Sequence, residues 1–154
     1  MCLSEAASIL AGRHLGPDKQ FVAVSTDTRK LVKDDLFIAL KGPSFDGHEF
    51  ALKALTLGAC GVMVEKELPE RVPQVVVADT LQALQKLANY WRKKSKVKLV
   101  GVTGSNGKTT VKEMIFSILT RQASTLKTEG NLNNHIGVPL TLLRLQQQEF
   151  AVVE

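Results

Sequence analysis

The chain has 154 residues, of which 44% are hydrophobic and 23% are charged, and its formal net charge is +5. These values are those of an ordinary globular protein, so they exclude a disordered chain or a coiled coil, and the length excludes a large multidomain enzyme. All uninterrupted apolar runs are far shorter than the roughly 18 residues of a membrane span, and the opening of the chain is unlike a secretory signal. We therefore predict a cytoplasmic protein without a membrane span, whose cysteines Cys2 and Cys60 are free thiols.

The first part of the chain alternates short helical and strand patterns. Ser4 is expected to cap a helix that ends at Gly12, and Asp46-Gly47 is expected to open a helix over residues 48–57. Apolar runs predict three buried strands, at residues 36–40, 61–64 and 74–77. This alternation indicates an α/β fold with largely parallel strands.

A longer helix follows, with Asp79 or Thr80 as its cap and an apolar stripe at three- and four-residue steps that ends at Trp91. The spacing favours core packing for Tyr90 and Trp91 over a base-stacking platform. The whole excess of positive charge comes directly afterwards, in Arg92, Lys93, Lys94, Lys96 and Lys98. A single cluster at a helix end indicates a solvated surface or linker rather than a nucleic-acid groove, and it marks a domain boundary near residue 95.

From residue 96 the pattern is strand, glycine-rich loop and helix, with the strand at residues 98–103. The apolar face of this helix is expected to contain Val111, Met114, Ile115, Ile118 and Leu119. Pro139 is expected to be the first residue of a further helix, and residues 150–154 are predicted to form another buried strand. Only about two or three strands fit into this part, fewer than an open parallel sheet contains. We therefore expect an incomplete second domain in a truncated chain.

The loop after residue 103 has the residue types that a phosphate-binding loop needs. Its glycines let backbone N–H groups close around phosphate oxygens, and the helix N-terminus adds partial positive charge. Lys108 would place its ammonium on the β- and γ-phosphates, and the Thr109 hydroxyl would bind Mg²⁺. The spacing departs from G-x-x-x-x-G-K-[ST], because Val102 occupies the position of the first glycine. The predicted nucleotide-binding residues are Gly104, Ser105, Asn106, Gly107, Lys108, Thr109 and Thr110.

Two further features are ambiguous from the residues alone. Glu154 follows a predicted strand at the sheet edge where α/β proteins place their ligands, so it is either a metal ligand or simply the last residue. Residues 128–139 are rich in asparagine, which suits contacts to a ribose, a base or a phosphate but also suits turns. His135 has no partner at metal-ligand spacing and is expected to be a loop residue.

Two long motif blocks resemble the Mur ligases of peptidoglycan synthesis. They are GVTGSNGKTTVKEM at residues 101–114 and EGNLNNHIGVPLTLL at residues 129–143. The blocks are long, separate and in the order found in the family, so chance is a poor explanation. The resemblance covers nearly the whole chain, and it is greatest to the family members that add a D-alanyl-D-alanine dipeptide.

The first domain shares this resemblance. STDTR at residues 25–29 and DGHEF at residues 46–50 are similar to segments with which the family binds the UDP part of its substrate. Other members of the family more often have Ser at the position of Thr28, and Thr28 also carries a side-chain hydroxyl. By resemblance Arg29 faces a pyrophosphate, whereas without it Arg29 is a surface charge beside Asp27. The substrate-binding residues implied are Ser25, Thr26, Asp27, Thr28, Arg29, Asp46, Gly47 and His48.

The resemblance implies an ATP-dependent amide-bond ligase that uses Mg²⁺ and an acyl phosphate to join D-alanyl-D-alanine to UDP-N-acetylmuramoyl-tripeptide. Residues 1–95 would be a small α/β substrate domain, and residues 96–154 would begin a P-loop parallel-sheet ATPase domain. By resemblance, Lys108 and Thr109 are catalytic, and Asn134 joins the loop in binding ATP. Thr109 and Glu154 are the implied metal ligands. The full-length protein would be a monomer that binds no nucleic acid.

Three alternatives remain from the sequence. One is a sister Mur ligase that adds another amino acid to the same carrier. Another is a non-catalytic module that binds a UDP-sugar or a nucleotide, and a third is a nucleic-acid binder that depends only on the basic cluster at residues 92–98. Because the family has three domains, the remaining catalytic residues would follow residue 154, and we expect the chain by itself to be inactive.

Overall fold

The structure is a computed structural model that describes residues 1–154, and it divides into two compact units, Met1–Leu87 and Ala88–Glu154. The junction lies inside one helix, α3 (Thr80–Lys94). Both units combine helices with parallel strands, so the predicted α/β class is confirmed. No helix is both long enough and apolar enough to cross a membrane. The division into functional domains at residues 1–95 and 96–154 stays a prediction.

The first unit contains five strands, which are β1 (Arg13–Leu15), β2 (Val24–Ser25), β3 (Leu36–Ile38), β4 (Gly61–Val64) and β5 (Gln74–Val76). They form one sheet in the order β1-β5-β4-β3-β2, in which β1 is antiparallel to β5 and the other neighbours are parallel. The three predicted strands are β3, β4 and β5, and every residue in them is buried. The sequence pattern does not predict β1 and β2, because each is very short and neither is fully buried.

Two helices, α1 (Leu3–Leu10) and α2 (Ala51–Thr56), complete the first unit together with part of α3. The expected cap at Ser4 is wrong, because α1 already begins at Leu3 and both the N–H and the hydroxyl of Ser4 donate to the Asp18 carboxylate. A single 3-10 turn, Gly47–Phe50, precedes α2 where a longer helix was expected. The core of this unit contains Phe37, Ala39, Ala51, Ala54, Val62 and Val64.

The second unit contains three parallel strands, β6 (Lys98–Gly101), β7 (Thr125–Lys127) and β8 (Phe150–Val153), in the order β6-β8-β7. Since all three run in the same direction, their carboxyl ends meet at one edge of the sheet. Helix α4 (Lys108–Leu119) follows β6, and α5 (Gly137–Leu143) precedes β8. The expected helix start at Pro139 is wrong, since α5 begins at Gly137 and Pro139 lies buried within it.

The apolar face predicted for α4 is not a buried face in this chain. Val111 is 45% exposed, and Met114 and Ile118 are each 60% exposed. The buried residue of this helix is Lys112, which is 1% exposed. The periodicity therefore predicts the helix, and its apolar side chains lie at the surface of the 154 residues described.

Trp91 confirms its predicted packing role. Its ring packs against the core cluster of the second unit, and its Nε1–H donates to the carbonyl oxygen of Leu145 at 2.7 Å. The basic residues that follow occupy the solvated helix end, where Lys93, Lys94 and Lys96 are exposed.

We expect Trp91→Phe to lower the free energy of unfolding by about 1–2 kcal/mol, because the Leu145 carbonyl loses its donor while much of the ring volume remains. Urea denaturation followed by circular dichroism measures this change. The control is Tyr90→Phe, which keeps the ring beside Lys94 and is expected to change stability by less than about 0.5 kcal/mol. Equal stability of the Trp91 variant and the parent would contradict a role for this hydrogen bond.

Candidate functional site

The loop between β6 and α4 has a backbone that its glycines make possible. Gly107 caps α4 with a φ of 73°, and Gly104 has a φ of 150°. Residues with a side chain rarely adopt these angles, so glycine is required at both positions. The loop residues 103–107 are exposed, and the first turn of α4 follows directly. The free N–H groups at this helix end therefore lie where an anion from solvent can bind them.

Lys108, the first residue of α4, reaches back across this loop. Its Nζ donates to the carbonyl oxygen of Gly104 at 2.7 Å. The contact holds the ammonium beside the N–H groups of the loop, where phosphate oxygens would meet both kinds of donor. The contact of Lys108 with phosphate stays a prediction with which this geometry agrees.

The two residues expected to bind Mg²⁺ meet at the carboxyl end of β8. Thr109 Oγ1 lies 3.1 Å from Oε2 and 3.3 Å from Oε1 of Glu154. Glu154 follows β8 directly, and its backbone N–H donates to Thr128 Oγ1 at 3.0 Å. Mg²⁺ prefers hard oxygen ligands, and a hydroxyl beside a carboxylate supplies them, so the residues present fit this ion.

Asn133 and Lys112, to which sequence analysis assigned no role, complete the surroundings of Glu154. Asn133 Nδ2 donates to Oε1 at 3.0 Å, and Lys112 Nζ lies 3.5 Å from Oε2. The hydrogen bond from Asn133 lowers the pKa of Glu154 below its ordinary value, with further lowering from the Thr109 hydroxyl and the charge of Lys112. Glu154 therefore carries a negative charge at neutral pH although its side chain is only 4% exposed.

Asn134 has a structural contact of its own. Its Oδ1 accepts hydrogen bonds from the backbone N–H groups of Ile136 at 3.1 Å and Gly137 at 2.7 Å. Asn134 thus stabilises the turn that begins α5. Sequence analysis had left open whether the asparagines of this segment form turns or contact a ligand, and Asn134 forms a turn. Its predicted contact with ATP would have to use the side-chain amide nitrogen, and it stays a prediction.

The first unit contains a cavity of about 580 Å³ at the ends of β2 and β3. Four residues of the STDTR segment and Gly47 line it, whereas Ser25, Asp46 and His48 do not, and substrate binding here stays a prediction. Aromatic rings and one further cation line it as well. The lining residues are Thr26, Asp27, Thr28, Arg29, Phe37, Phe45, Gly47, Phe50 and Lys53.

Arg29 and Asp27 form an ion pair at this cavity. Arg29 Nε lies 2.9 Å from Oδ1 and Nη2 lies 2.7 Å from Oδ2 of Asp27, while the Arg29 side chain is 87% exposed. The hydroxyl of Ser25 is turned inward, where it donates to the Asp27 carbonyl oxygen at 3.0 Å. Ser25 therefore supports the turn, and the exposed guanidinium keeps donors available for a ligand.

Asp46 and His48 do not line this cavity, although Gly47 between them does. His48 Nδ1 lies 2.6 Å from Asp46 Oδ1, and Nε2 accepts the backbone N–H of Glu65 at 2.8 Å. Both ring nitrogens are thus occupied within the protein. A Cβ on Gly47 would lie 2.6 Å from the Leu40 carbonyl oxygen, so only glycine permits this close approach. The pair fixes the turn that presents Gly47, and direct substrate contact by either residue stays a prediction.

Two family profiles match the two parts of the chain in which these sites lie. The profile of the Mur ligase middle domain matches residues 102–154, and the profile described as Mur ligase family, catalytic domain, matches residues 20–92. The chain belongs to the Mur ligase family. The glycine-rich loop before α4 lies within residues 102–154, and the cavity of the first unit is lined by residues within 20–92.

This Mur ligase chain is 48% identical over 153 residues to UDP-N-acetylmuramoyl-tripeptide–D-alanyl-D-alanine ligase of Escherichia coli K12, covering 99% of the chain and 34% of that protein. Among solved structures, MurF from Acinetobacter baumannii is 38% identical with a TM-score of 0.88, covering 98% of this chain and 34% of that one. MurF ligase from Thermotoga maritima in complex with ADP is 34% identical with a TM-score of 0.76, covering 85% and 31%. The chain spans about a third of the length of these relatives.

Sequence analysis assigned no role to Phe45 or Lys112, and it included Phe50 only as part of the DGHEF segment. Phe45 and Phe50 are 54% and 41% exposed at the cavity, although phenylalanine is usually buried. The aromatic residue Phe45, directly after Gly42-Pro43-Ser44, is the sequence feature that could have drawn attention to this cavity. For Lys112 the signal is a lysine one turn after Thr109 on the same helix.

We expect Arg29→Ala to raise the pKa of Asp27 toward its ordinary value of 3.8, because the Arg29 guanidinium lowers it to about 2. The parent Mur ligase chain keeps the stabilisation from this pair above about pH 4 and loses it as the pH falls through about 2. Since the Arg29 side chain is largely exposed, water screens the pair and its contribution to stability is small. A ¹³C NMR titration of the Asp27 carboxyl carbon measures the shift. Lys30→Ala is the matched control with a smaller expected effect, and equal titration in the parent and the Arg29 variant would contradict the assignment.

Proposed function

We propose that this chain forms the substrate-binding and ATP-binding part of a cytoplasmic ligase that joins D-alanyl-D-alanine to UDP-N-acetylmuramoyl-tripeptide. The observation that supports the proposal is the contact of Thr109 with Glu154 beside the glycine loop, because a hydroxyl and a carboxylate are oxygen ligands of the kind that Mg²⁺ prefers. The names of the relatives give the substrates, and one of their structures holds ADP. Residues 1–95 would bind the UDP carrier, and residues 96–154 would begin the ATP-binding domain.

The loop of the second unit binds the phosphates of ATP in this proposal. Backbone N–H groups at residues 104–110 and the Lys108 ammonium contact the β- and γ-phosphate oxygens, which carry increasing negative charge as the phosphoryl group is transferred. Thr109 and Glu154 would hold Mg²⁺, and the ion would supply positive charge that offsets the charge of the phosphates. Because these groups are fixed before the nucleotide arrives, little reorganisation is needed during the reaction.

The proposed reaction has two steps. The terminal carboxylate of the tripeptide attacks the γ-phosphorus of ATP, the bond to the β-γ bridging oxygen breaks, and an acyl phosphate and ADP result. The amine of D-alanyl-D-alanine then attacks the acyl carbon, and phosphate leaves as the amide forms and the amine loses a proton. The chain's own residues supply the phosphate contacts of the first step. No residue of this chain is assigned a contact with the dipeptide.

The cavity of the first unit suits the UDP end of the carrier. The exposed rings of Phe45 and Phe50 offer faces on which a uracil ring can stack. Arg29 and Lys53 bring two positive charges to the same cavity, where a diphosphate would bind them. A volume of about 580 Å³ lies within the usual range of small-molecule sites.

Isothermal titration calorimetry of the chain tests the proposal. We expect UDP-N-acetylmuramoyl-tripeptide to bind with or without Mg²⁺, and ADP to bind more tightly with Mg²⁺ than without it. Because the two ligands occupy different sites, saturation with one is expected to leave binding of the other measurable. Absence of heat with the UDP ligand at millimolar concentration would contradict the ligase assignment.

A phosphate-release assay addresses the alternative of a complete enzyme within these residues. We expect no release from ATP that depends on both UDP-N-acetylmuramoyl-tripeptide and D-alanyl-D-alanine, since the chain covers about a third of the relatives' length. Release that requires both substrates would show that the chain contains the whole catalytic apparatus and would overturn this division of roles.

A further inference from the structure

Lys112 is the lysine that the fold buries most completely. The residue is 1% exposed, whereas the apolar Met114 and Ile118 of the same helix are each 60% exposed. This is the reverse of the usual arrangement of an amphipathic helix. Removing an ammonium from water is costly unless an opposite charge compensates it, so the partners of Lys112 decide why it is buried.

Two carboxylates lie at equal distance from the Lys112 ammonium. Nζ is 3.5 Å from Oε2 of Glu154 and 3.5 Å from Oε1 of Glu113. The Glu113 side chain is 46% exposed and already pairs with Lys127, whereas the Glu154 side chain is only 4% exposed. The interaction with Glu154 is therefore the one between two buried charges, where water screens least.

The carboxylate of Glu154 is held at both oxygens. Asn133 donates to Oε1, and Lys112 lies beside Oε2. The Thr109 hydroxyl approaches both oxygens from α4. Lys112 lies one turn after Thr109 on the same helix, so one rigid element fixes both the hydroxyl and the ammonium relative to Glu154.

We propose that Lys112 is a positioning residue that serves as the internal counter-ion of Glu154 and limits how tightly the Thr109–Glu154 site holds Mg²⁺. The inference rests on the proposed function for the identity of the ion. Without a metal, the ammonium compensates the buried carboxylate and keeps it facing Thr109. With Mg²⁺ bound, the two cations share one carboxylate and repel each other, so the ion is held less tightly than by an uncompensated carboxylate.

A double-mutant cycle in EDTA, without nucleotide, tests the counter-ion role. Lys112→Met removes the charge and keeps the length of the side chain, and we expect it to lower Tm by about 5–10 °C. In the Glu154→Gln background the same change is expected to lower Tm by less than half as much, because no buried carboxylate is then left uncompensated. If a single variant does not fold, the double variant is expected to recover folding. An equal decrease in Tm in both backgrounds, or a double variant that does not recover folding, would overturn the proposal. Either result would show that Lys112 stabilises the fold by packing alone.

Glu113→Gln is the matched control for this cycle. It removes the exposed partner of Lys112 and leaves Glu154 unchanged. We expect its effect on Tm to be less than half that of Lys112→Met, since the exposed pair contributes little. An effect of Glu113→Gln as large as that of Lys112→Met would assign the buried ammonium to Glu113 and overturn the proposal.

The second measurement is the ratio of ADP affinities with and without Mg²⁺, obtained by calorimetry. We expect Lys112→Met to raise this ratio about threefold or more over the parent, because the repulsion between cations is gone. Lys112→Arg keeps the charge and is expected to leave the ratio near that of the parent. An unchanged or lower ratio in Lys112→Met contradicts the proposal. If the ADP affinity of the parent chain is the same with and without Mg²⁺, the proposed function is contradicted instead. The double-mutant cycle in EDTA then still tests whether Lys112 is the counter-ion of Glu154.

Discussion

Lys108→Ala is expected to lower the affinity of the chain for Mg-ADP by about 10- to 100-fold. The substitution removes a charge-assisted contact to the phosphates, which is worth about 1.5–3 kcal/mol. It also removes the hydrogen bond from Nζ to the Gly104 carbonyl oxygen, which spans the loop in the structure. Calorimetric titration of Mg-ADP into the parent and the variant measures the change.

Lys96→Ala is the matched control for Lys108, because Lys96 is an exposed lysine outside the loop. We expect this control to bind Mg-ADP like the parent. We also expect Lys108→Ala to bind UDP-N-acetylmuramoyl-tripeptide like the parent, since the cavity lies in the first unit. Equal Mg-ADP affinity in the parent and the Lys108 variant would remove the loop from the nucleotide site.

Arg29→Ala is expected to lower the affinity for UDP-N-acetylmuramoyl-tripeptide by about tenfold or more. A guanidinium binds two oxygens of a diphosphate at once, and such contacts exceed those of a neutral donor. The Arg29 side chain is 87% exposed in the ion pair with Asp27, so the loss is placed near the lower end of the range for charged contacts. Calorimetry at constant ionic strength measures it.

Lys30→Ala gives the comparison for Arg29, because it removes a neighbouring exposed charge that does not line the cavity. We expect it to lower affinity by less than about twofold, through long-range attraction alone. If both variants lose the same affinity, the general charge of the surface and not a contact of Arg29 explains the binding. Arg29→Lys is expected to recover only part of the loss, since an ammonium lacks the planar pair of donors.

The loop at residues 104–110 could be predicted from the sequence because its requirements are local. Glycines allow its backbone angles, and strand and helix patterns flank it directly. The residues alone did not decide whether Glu154 lies near Thr109, and the resemblance to the family favoured that position. Parallel pairing of β6 with β8 is what brings the two side chains together.

The surroundings of Glu154 could not be predicted in the same way. Lys112 and Asn133 are far from Glu154 in the sequence, and only the packing of α4 and the loop before α5 against the sheet places them there. Asn134 shows a related limit, since an asparagine suits both a ligand and a turn, and the structure uses its oxygen for the turn. No local pattern distinguishes these two uses.

The lining of the cavity in the first unit was only partly predictable from the sequence. The segment at residues 25–29 was identified by resemblance, and four of its five residues line the cavity. Phe45 and Lys53 come from other segments and join the cavity because the turn at Gly47 lies directly against Leu40. Histidine often contacts ligands, yet both ring nitrogens of His48 form hydrogen bonds to groups of the protein itself.

The antiparallel strand β1 has a consequence for any shortened version of the chain. β1 pairs with β5 from Arg13 opposite Val76 to Leu15 opposite Gln74. It therefore covers the outer backbone N–H and C=O groups of β5, whose three residues are all buried. During synthesis on the ribosome, β1 emerges long before β5, and this pair can close only when the rest of the sheet is present. In a polypeptide that starts after Gly16, the backbone N–H and C=O groups of β5 on this side would be unpaired. They could then pair with strands of other chains, so we expect aggregation during expression.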